Sequence, residues 1–216
     1  MTPDRATSVL AARRMKRLML LAAVVLATPP AGAAAQSAPA TLSCEGAFDR
    51  NSDHKRLVSV FGAANVVFGK IDGAEGMDQP ATIVNGKDKA RRLDFVWMDE
   101  KARKIPNVLA RAGSTWKTDD GVGVGSSLAE IEKLNGKPFK LSGFEWDYGG
   151  YVTDFNGGAL ATRKGGCHLG LRFEPGAGAA AKALEKVSGD RTLLSNNPSA
   201  RAVKPVVSEI SIGWPR

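Results

Sequence analysis

Few residues of this chain combine the type and spacing that catalysis requires. The two histidines, His54 and His168, stand at no metal-ligand spacing from another histidine or a cysteine. His168 follows Cys167, but neighbouring residues of a strand point to opposite faces, which argues against a thiol–imidazole pair. Glu145 and Asp147, spaced by two, would share a strand face, and glycosidic acid–base chemistry would need both in one cleft. We therefore expect no catalytic residues, no metal and no cofactor.

The strongest candidate for a binding site is the aromatic run from Trp146 to Tyr151. Its flat rings beside a carboxylate suit a sugar ring or a partner's side chain, and the Gly149-Gly150 pair permits close backbone approach. The candidate ligand-binding residues are Trp146, Asp147, Tyr148 and Tyr151. The alternative is a bulged hairpin whose aromatic side chains fill the core.

A short helix with clear end signals precedes this run. Ser127 and Glu130 have the spacing of a capping box, and Asn135-Gly136 followed by Pro138 supplies the stop. The glycine-rich segment Gly121–Ser127 resembles an anion cradle but lacks the residues of a P-loop. We interpret its glycines as the bend that leads a strand into the capped helix.

The first 35 residues have the pattern of a bacterial-type signal peptide, starting at Met1 or Met15. The basic cluster Arg13–Arg17 precedes the nine-residue apolar run Leu18–Leu26, and three alanines ending at Ala35 follow. A membrane-spanning helix needs about 20 apolar residues, so no span is expected after cleavage near Ala35. The sequence therefore predicts export and a periplasmic location.

The net charge gives little support to a nucleic-acid partner. The formal charge is +8, but residues 1–35 hold five basic residues and one acidic residue, which leaves 25 basic and 21 acidic residues, or +4, for the rest. An excess this small, interspersed with acids, lacks the basic patch of a nucleic-acid binder. The run Lys101–Arg111 is interpreted as the solvated face of a connector.

The chain has two cysteines, Cys44 and Cys167, and an oxidising compartment allows them one intramolecular disulfide. Cys167 shares the phase of the apolar residues in the expected strand His168–Glu174 and should face the core. The bridge would close a loop of over a hundred residues and stabilise the fold by roughly 4 kcal/mol on the chain-entropy model. Two buried thiols are the alternative.

The patterns predict three helices and several short strands. The first helix follows Asn51-Ser52-Asp53, carries His54 as a solvated residue of its first turn, and ends at Gly62. The other expected elements are a second helix over Ser127–Gly136, a third over Ala179–Val187, strands over Val66–Phe68, Ala81–Val84, Arg91–Met98, Ser114–Thr118, His168–Glu174 and Val206–Trp214, and a loop over Ser195–Pro205.

A shift of 74 residues superposes the first helix and its following strands on the second set. It places Gly62 on Gly136 and Phe95 on Leu169, both in the same structural context. We therefore expect an α+β fold in which two helix-plus-antiparallel-strand repeats form one sheet with the helices on one face. The expected organisation is a signal peptide (1–35), a flexible leader (36–43) and one domain (44–216), with repeats over about 52–100 and 126–175 and a C-terminal helix and strand over 179–214.

Two resemblances accompany these patterns. The helix that ends in Leu134-Asn135-Gly136-Lys137-Pro138 before an alternating strand resembles the module of the beta-lactamase-inhibitory-protein fold and of the small outer-membrane lipoproteins of the barrel-assembly machinery. The segment Gly143–Gly150, GFEWDYGG, resembles a motif of exported bacterial proteins of unknown function. The first resemblance implies protein binding by fold analogy. This chain lacks a convincing lipid-attachment cysteine.

These observations favour a non-catalytic module that binds another envelope protein. A binder of envelope glycan or another small ligand at Trp146, Tyr148 and Tyr151 is the alternative. A hydrolase that uses Glu145 and Asp147 is the third hypothesis.

Overall fold

The computed structural model describes residues 41–97 and 107–214 and confirms the α+β class. The signal peptide, most of the leader and the connector residues 98–106 lie outside these ranges. The described helices are α1 (His54–Phe61), α2 (Leu128–Asn135), α3 (Ala181–Leu184) and α4 (Pro198–Ala202). The described strands are β1 (Thr41–Leu42), β2 (Val66–Asp72), β3 (Asp78–Val84), β4 (Leu93–Val96), β5 (Asn107–Ala110), β6 (Lys117–Thr118), β7 (Lys140–Ser142), β8 (Val152–Asp154), β9 (His168–Glu174), β10 (Thr192–Leu194) and β11 (Val206–Gly213).

The strands form one large antiparallel sheet and two small sheets rather than the single sheet expected. The large sheet has the order β2-β3-β4-β5-β11-β9. A three-stranded antiparallel sheet has the order β10-β7-β8, and β1 pairs in parallel with β6. The chain that follows β7 leaves the sheet because the Phe144 amide donates to Val187 O and the Phe144 carbonyl accepts from the Gly189 amide. The segment that contains Val187 and Gly189 therefore takes the place of a longer β7–β8 pairing.

The 74-residue repeat is visible in the elements. Helices α1 and α2 each span eight residues and start 74 positions apart, at His54 and Leu128. The same offset separates the starts of β2 and β7 and those of β3 and β8. The two copies nevertheless differ in their sheets, since β7 and β8 have three residues each where β2 and β3 have seven.

Strand β11 joins the two copies. It lies between β5, which follows the first copy, and β9 of the second copy, antiparallel to both. The sequence predicts Val206, Ile210 and Ile212 in one phase, but an irregularity between Val207 and Glu209 shifts the register. Val207, not Val206, is therefore the buried residue that accompanies Ile210 and Ile212.

The two faces of the six-stranded sheet have different roles. The inner face packs on the helices: Leu57 of α1 and Leu128 and Ile131 of α2 belong to the same apolar cluster as Phe95 and Leu171 of the sheet. The outer face carries a small apolar cluster and several charged side chains. The members of that cluster are Ile71, Ala81, Ile83, Val96 and Leu109.

The helix ends follow the predicted signals. The Asp53 carboxylate accepts from the Arg56 amide at 2.8 Å at the start of α1. Ser127 and Glu130 form the expected capping box on α2, and Gly136 ends that helix with φ 77°. The side-chain amide of Asn135 donates to Phe155 O at 2.9 Å, so the residue before the stop also holds a distant loop.

Several elements differ from the predictions because their signals are short. Helix α4 lies within the predicted loop, where the Asn197 side chain accepts from the amides of Ser199 and Ala200 and Pro198 occupies the first turn. Strand β5 lies within the run predicted as a connector, and the strand predicted over Ser114–Thr118 is only β6. The third helix is four residues long.

The predicted disulfide is present. Cys44 and Cys167 are bonded with their Cα atoms 5.5 Å apart and 123 positions apart in sequence. Both cysteines are buried in the main apolar cluster. The bond therefore joins the segment after β1 to the start of β9.

We expect the double substitution of Cys44 and Cys167 to alanine to lower the free energy of unfolding by about 4 kcal/mol, because it releases a loop of this length in the unfolded chain. Urea denaturation of the oxidised protein and the variant measures the difference. Dithiothreitol should destabilise the wild type by a similar amount and leave the variant unchanged. A loss below about 1 kcal/mol would contradict the stabilising role.

Candidate functional site

The outer face of the six-stranded sheet forms the floor of an open depression of about 880 Å³, here called the outer-face depression. One wall is the β2–β3 hairpin with Glu75. The other wall is the segment Phe144–Tyr151, here called the aromatic turn. The polar and charged lining residues are Lys70, Asp72, Glu75, Gln79, Arg92, Asn107, Arg111, Asp147, Arg172, Glu209 and Ser211, joined by Trp146 and Tyr151.

The aromatic turn divides its rings between the core and the surface. Phe144 is 1% exposed and fills the core, as the alternative interpretation expected. Trp146 is half-buried, and its indole N–H donates to Gly143 O at 3.0 Å. Tyr148 is 49% exposed, and its ring lies edge-on to Trp146 at 5.6 Å between centroids. The structure thus places two of the predicted site's aromatic residues at the surface in fixed mutual geometry.

The four predicted site residues lie around two adjoining depressions. Trp146, Asp147 and Tyr151 line the outer-face depression. Tyr148 lines a neighbouring depression of about 310 Å³, which Trp146 and Tyr151 also line. Trp146 and Tyr151 therefore separate a large polar concavity from a smaller aromatic one.

The aromatic turn is held on the sheet by a close backbone approach at Gly150. Gly150 O accepts from the Phe173 amide at 2.9 Å, and Tyr151 pairs with Arg172 as an isolated bridge. A Cβ at Gly150 would stand 2.0 Å from Phe173 O, and its φ is 77°. Glycine is required here because another residue would meet both a steric and a conformational barrier.

Arg172 of β9 lies under the aromatic turn. Its Nε donates to Gly149 O at 3.0 Å and its Nη2 to Asp147 O at 3.4 Å. Its guanidinium carbon lies 5.0 Å from the centroid of the Tyr151 ring, in cation–π range. Arg172 is not among the site residues predicted from the sequence, although the alternation of β9 places it opposite Leu171, on the outer face.

A row of alternating charges crosses the floor. The Asp94 side chain is 3% exposed and accepts from Arg92 Nε and Arg111 Nη1, each at 2.9 Å. Arg111 Nε also donates to Glu209 at 2.9 Å, and Glu209 lies opposite Arg172 in the sheet register. Arg111, predicted to lie on the solvated face of a connector, has a side chain that is 40% exposed, but it also pairs with carboxylates of β4 and β11 that are distant in sequence.

The acidic pair of the hydrolase hypothesis does not share a strand face. Glu145 and Asp147 lie in the aromatic turn, and Glu145 has φ 63°. The Glu145 carboxylate accepts from the Ser188 hydroxyl, whereas Asp147 is exposed at the rim. Both residues line a shallow surface depression. The Gly143 and Phe144 amides donate to the carbonyls of Arg191 and Val187. The backbone at Glu145 and Asp147 therefore forms a tight turn instead of a strand.

The remaining candidate residues do not form a site. His54 is half-buried rather than solvated, and its Nδ1 lies 2.9 Å from the buried Thr82 hydroxyl. His168 is exposed, and Cys167 is committed to the disulfide. In the segment Gly121–Ser127, the Gly125 amide donates to Val207 O, so the segment pairs with β11 instead of presenting a free cradle.

Within residues 41–97 and 107–214, no three histidine, cysteine or acidic side chains form a group that could hold a metal ion. The helices of these same ranges include none with the length and apolarity needed to cross a membrane. Comparison of the chain with protein-family models, curated proteins and solved structures gives no match. The function of the protein is therefore inferred from the geometry of the outer-face depression.

The chain contains two tyrosines, Tyr148 and Tyr151, and both belong to this site. The hydrogen bond from the Tyr148 hydroxyl to Glu75 Oε1, at 3.2 Å, raises the Tyr148 pKa, and the Glu75 charge adds to the effect. Burial raises the Tyr151 pKa, and the charge of Glu209 raises it further.

We expect both phenols to titrate above the ordinary tyrosine value of about 10 when tyrosinate absorbance is followed at 295 nm. Glu75→Gln should lower the Tyr148 pKa and leave Tyr151 unchanged, with Tyr151→Phe assigning the two transitions. Because the folded-state pKa values are raised, this contribution to stability is present below pH 10 and is lost as the pH rises through them. If both tyrosines titrate at the ordinary value, the contacts described for Tyr148 and Tyr151 are contradicted.

We expect Gly150→Ala to destabilise the protein more than Gly178→Ala. Both glycines have positive φ, but an added Cβ at Gly178 meets no atom within 4 Å, whereas at Gly150 it meets the Phe173 carbonyl. The backbone strain is about 1–2 kcal/mol in each case, so the excess loss in Gly150→Ala measures the close approach. Urea denaturation measures the free energy of unfolding of both variants. Equal losses of stability would show that the aromatic turn moves away from Phe173 without a cost in free energy.

Proposed function

We propose that the protein is an exported, non-catalytic binding module whose outer-face depression recognises another protein of the bacterial envelope. The observation that carries this proposal is the convergence of Trp146 and Tyr151, on one wall, with Arg172 of the floor in a charged, open concavity. Tryptophan, tyrosine and arginine are the residue types that contribute most to protein interfaces.

The acidic side chains of the floor, together with Glu145, favour binding over catalysis. Asp94 and Glu209 are both paired with Arg111, and Glu145 accepts from Ser188. A general acid or base needs a carboxyl group that is free to exchange a proton with the substrate. Paired carboxylates instead provide a fixed pattern of charge, which gives specificity to a protein interface.

The form of the site favours a macromolecule. The outer-face depression is wide, and its floor combines the charged row with apolar residues such as Ile71 and Leu109. Small-molecule sites are mostly enclosed and apolar, with few polar groups. A mixed floor flanked by half-exposed aromatic rings resembles an interface with a polar rim.

A glycan ligand is the second candidate, and one observation favours it. The smaller depression is lined by the rings of Trp146, Tyr148 and Tyr151 together with polar residues such as Asp190 and Thr192. Aromatic faces beside polar groups suit a sugar ring.

The proposed location in the periplasm is supported by the N-terminal sequence pattern and by the disulfide. The signal-like segment ends near Ala35. The bond between Cys44 and Cys167 is of the kind that persists in oxidising compartments. The resemblance of the helix-and-strand module to protein-binding envelope proteins agrees with this proposal by analogy.

Site-specific photo-crosslinking in a Gram-negative host tests the function. A benzophenone amino acid at Tyr148 should give a protein adduct, whereas the same probe at Val60, an equally exposed position on α1, should not. Trp146→Ala should reduce the Tyr148 adduct at least about tenfold, because interface tryptophans are frequent hot spots. Digestion of the adduct by lysozyme instead of protease would support the glycan candidate. Equal adducts from Tyr148 and Val60 probes, or an intact N-terminus in the cytoplasmic fraction, would contradict the proposal.

A further inference from the structure

Arg172 differs from the other arginines of the charged row. Arg92 and Arg111 each form an ion pair with Asp94, and Arg111 forms a second with Glu209. Among the described residues, no carboxylate lies within ion-pair distance of Arg172, although Glu209 is its neighbour across the sheet. Its charge is therefore held in a half-buried position without a direct counter-ion.

The main-chain hydrogen bonds of Arg172 occupy one edge of its guanidinium, and the side chain also interacts with the Tyr151 hydroxyl. The bonds from Nε to Gly149 O and from Nη2 to Asp147 O use the side-on edge of the planar group. The end-on edge, formed by Nη1 and Nη2, has two parallel N–H groups that match the two oxygens of a carboxylate. The Tyr151 ring and the two carbonyls hold the plane in place, so little side-chain freedom is lost when a ligand binds.

The surroundings of Arg172 restrict the ligand that it accepts. Arg172, Trp146 and Asp147 together line both the outer-face depression and the adjacent shallow depression. Glu209 and Asp147 add negative charge nearby, which disfavours a doubly charged phosphate more than a singly charged carboxylate. Trp146 supplies an apolar surface beside the guanidinium.

We infer that Arg172 is the receptor for a carboxylate of the partner, an acidic side chain that enters beside Trp146. This inference rests on the proposed function, because it names the group that the outer-face depression recognises. Arg111 remains committed to Asp94 and Glu209 and defines the electrostatic floor. Asp147, at the rim, repels ligands that carry excess negative charge.

The capped peptides acetyl-Gly-Glu-Gly-amide and acetyl-Gly-Gln-Gly-amide test the inference in NMR titrations of the purified protein. We expect the glutamate peptide to bind about tenfold more tightly than the glutamine peptide, the difference that a charge-assisted bidentate pair provides. Arg172→Gln should abolish this preference, and Arg172→Lys should reduce it. Arg50→Gln, at an exposed arginine, should leave it unchanged. Equal binding of the two peptides by the wild type overturns the inference.

A variant that is expected to strengthen binding distinguishes the inferred role of Arg172 from a purely structural role. Asp147→Asn removes a rim charge without removing the backbone carbonyl that Arg172 contacts, and it should strengthen binding of the glutamate peptide by on the order of threefold. No such gain is expected if Arg172 only supports the turn, and its absence overturns the inference. Glucuronate that binds more tightly than the glutamate peptide overturns the assignment to a protein side chain. If inorganic phosphate binds as tightly as the glutamate peptide, the assignment of the ligand as a carboxylate is overturned.

The two proposals fail in different ways. A crosslinked partner that depends on Trp146 but is unaffected by Arg172→Gln would overturn the carboxylate inference and leave the binding function in place. Peptide discrimination without a crosslinked envelope protein would support the Arg172 site and count against the proposed function.

Discussion

The pairing of Gly150 with Phe173 is the contact on which the site depends. It is the point where the three-stranded sheet meets the edge of the six-stranded sheet, through one backbone hydrogen bond and the adjacent Tyr151–Arg172 bridge. The approach is too close for any side chain at Gly150. Because the aromatic turn ends at this contact, its position fixes Trp146 at the wall of the depression and places Tyr151 over Arg172.

The repeat explains why the depression has two walls. The turn of the β2–β3 hairpin in the first copy follows β2, and the aromatic turn in the second copy follows β7. These two strands are equivalent, since they start 74 residues apart. The two segments contact each other where Tyr148 donates to Glu75. Their sequences have diverged: the first wall has no aromatic counterpart to Trp146 or Tyr148. The common module thus supplies the architecture, and the second copy alone supplies the rings.

Local signals were sufficient to predict much of this fold. The Ser127–Glu130 box, the Gly136 stop and the alternation of β9 each depend on residues close in sequence, and all three are present. The disulfide followed from the number of cysteines and the phase of Cys167. Helix α4 carries a readable signal in Asn197-Pro198, but the polar residues around it predict a loop.

The parts that sequence did not predict depend on pairing between distant segments. Nothing in the pattern of β11 shows that it lies inside the sheet, or that a bulge changes its phase after Val207. Arg111 belongs to the site only because β4 and β11 bring Asp94 and Glu209 beside it. The aromatic turn was found because its composition is unusual, whereas its arginine partner, Arg172, comes from a strand that looks ordinary in sequence.

The charged row is not needed for stability, which supports the proposed role in recognition. Taking the Asp94 carboxylate out of water has a cost that its attraction to the half-exposed Arg92 and Arg111 only roughly offsets, and well-packed apolar residues of similar size are often as stable or more so. The outer face already has an apolar cluster around Ala81 and Leu109 that could extend across the floor. It stops instead at a row of fixed charges that leads to Arg172. A face built for folding alone would need no such row, whereas under the proposed function the row would reject partners with the wrong charge.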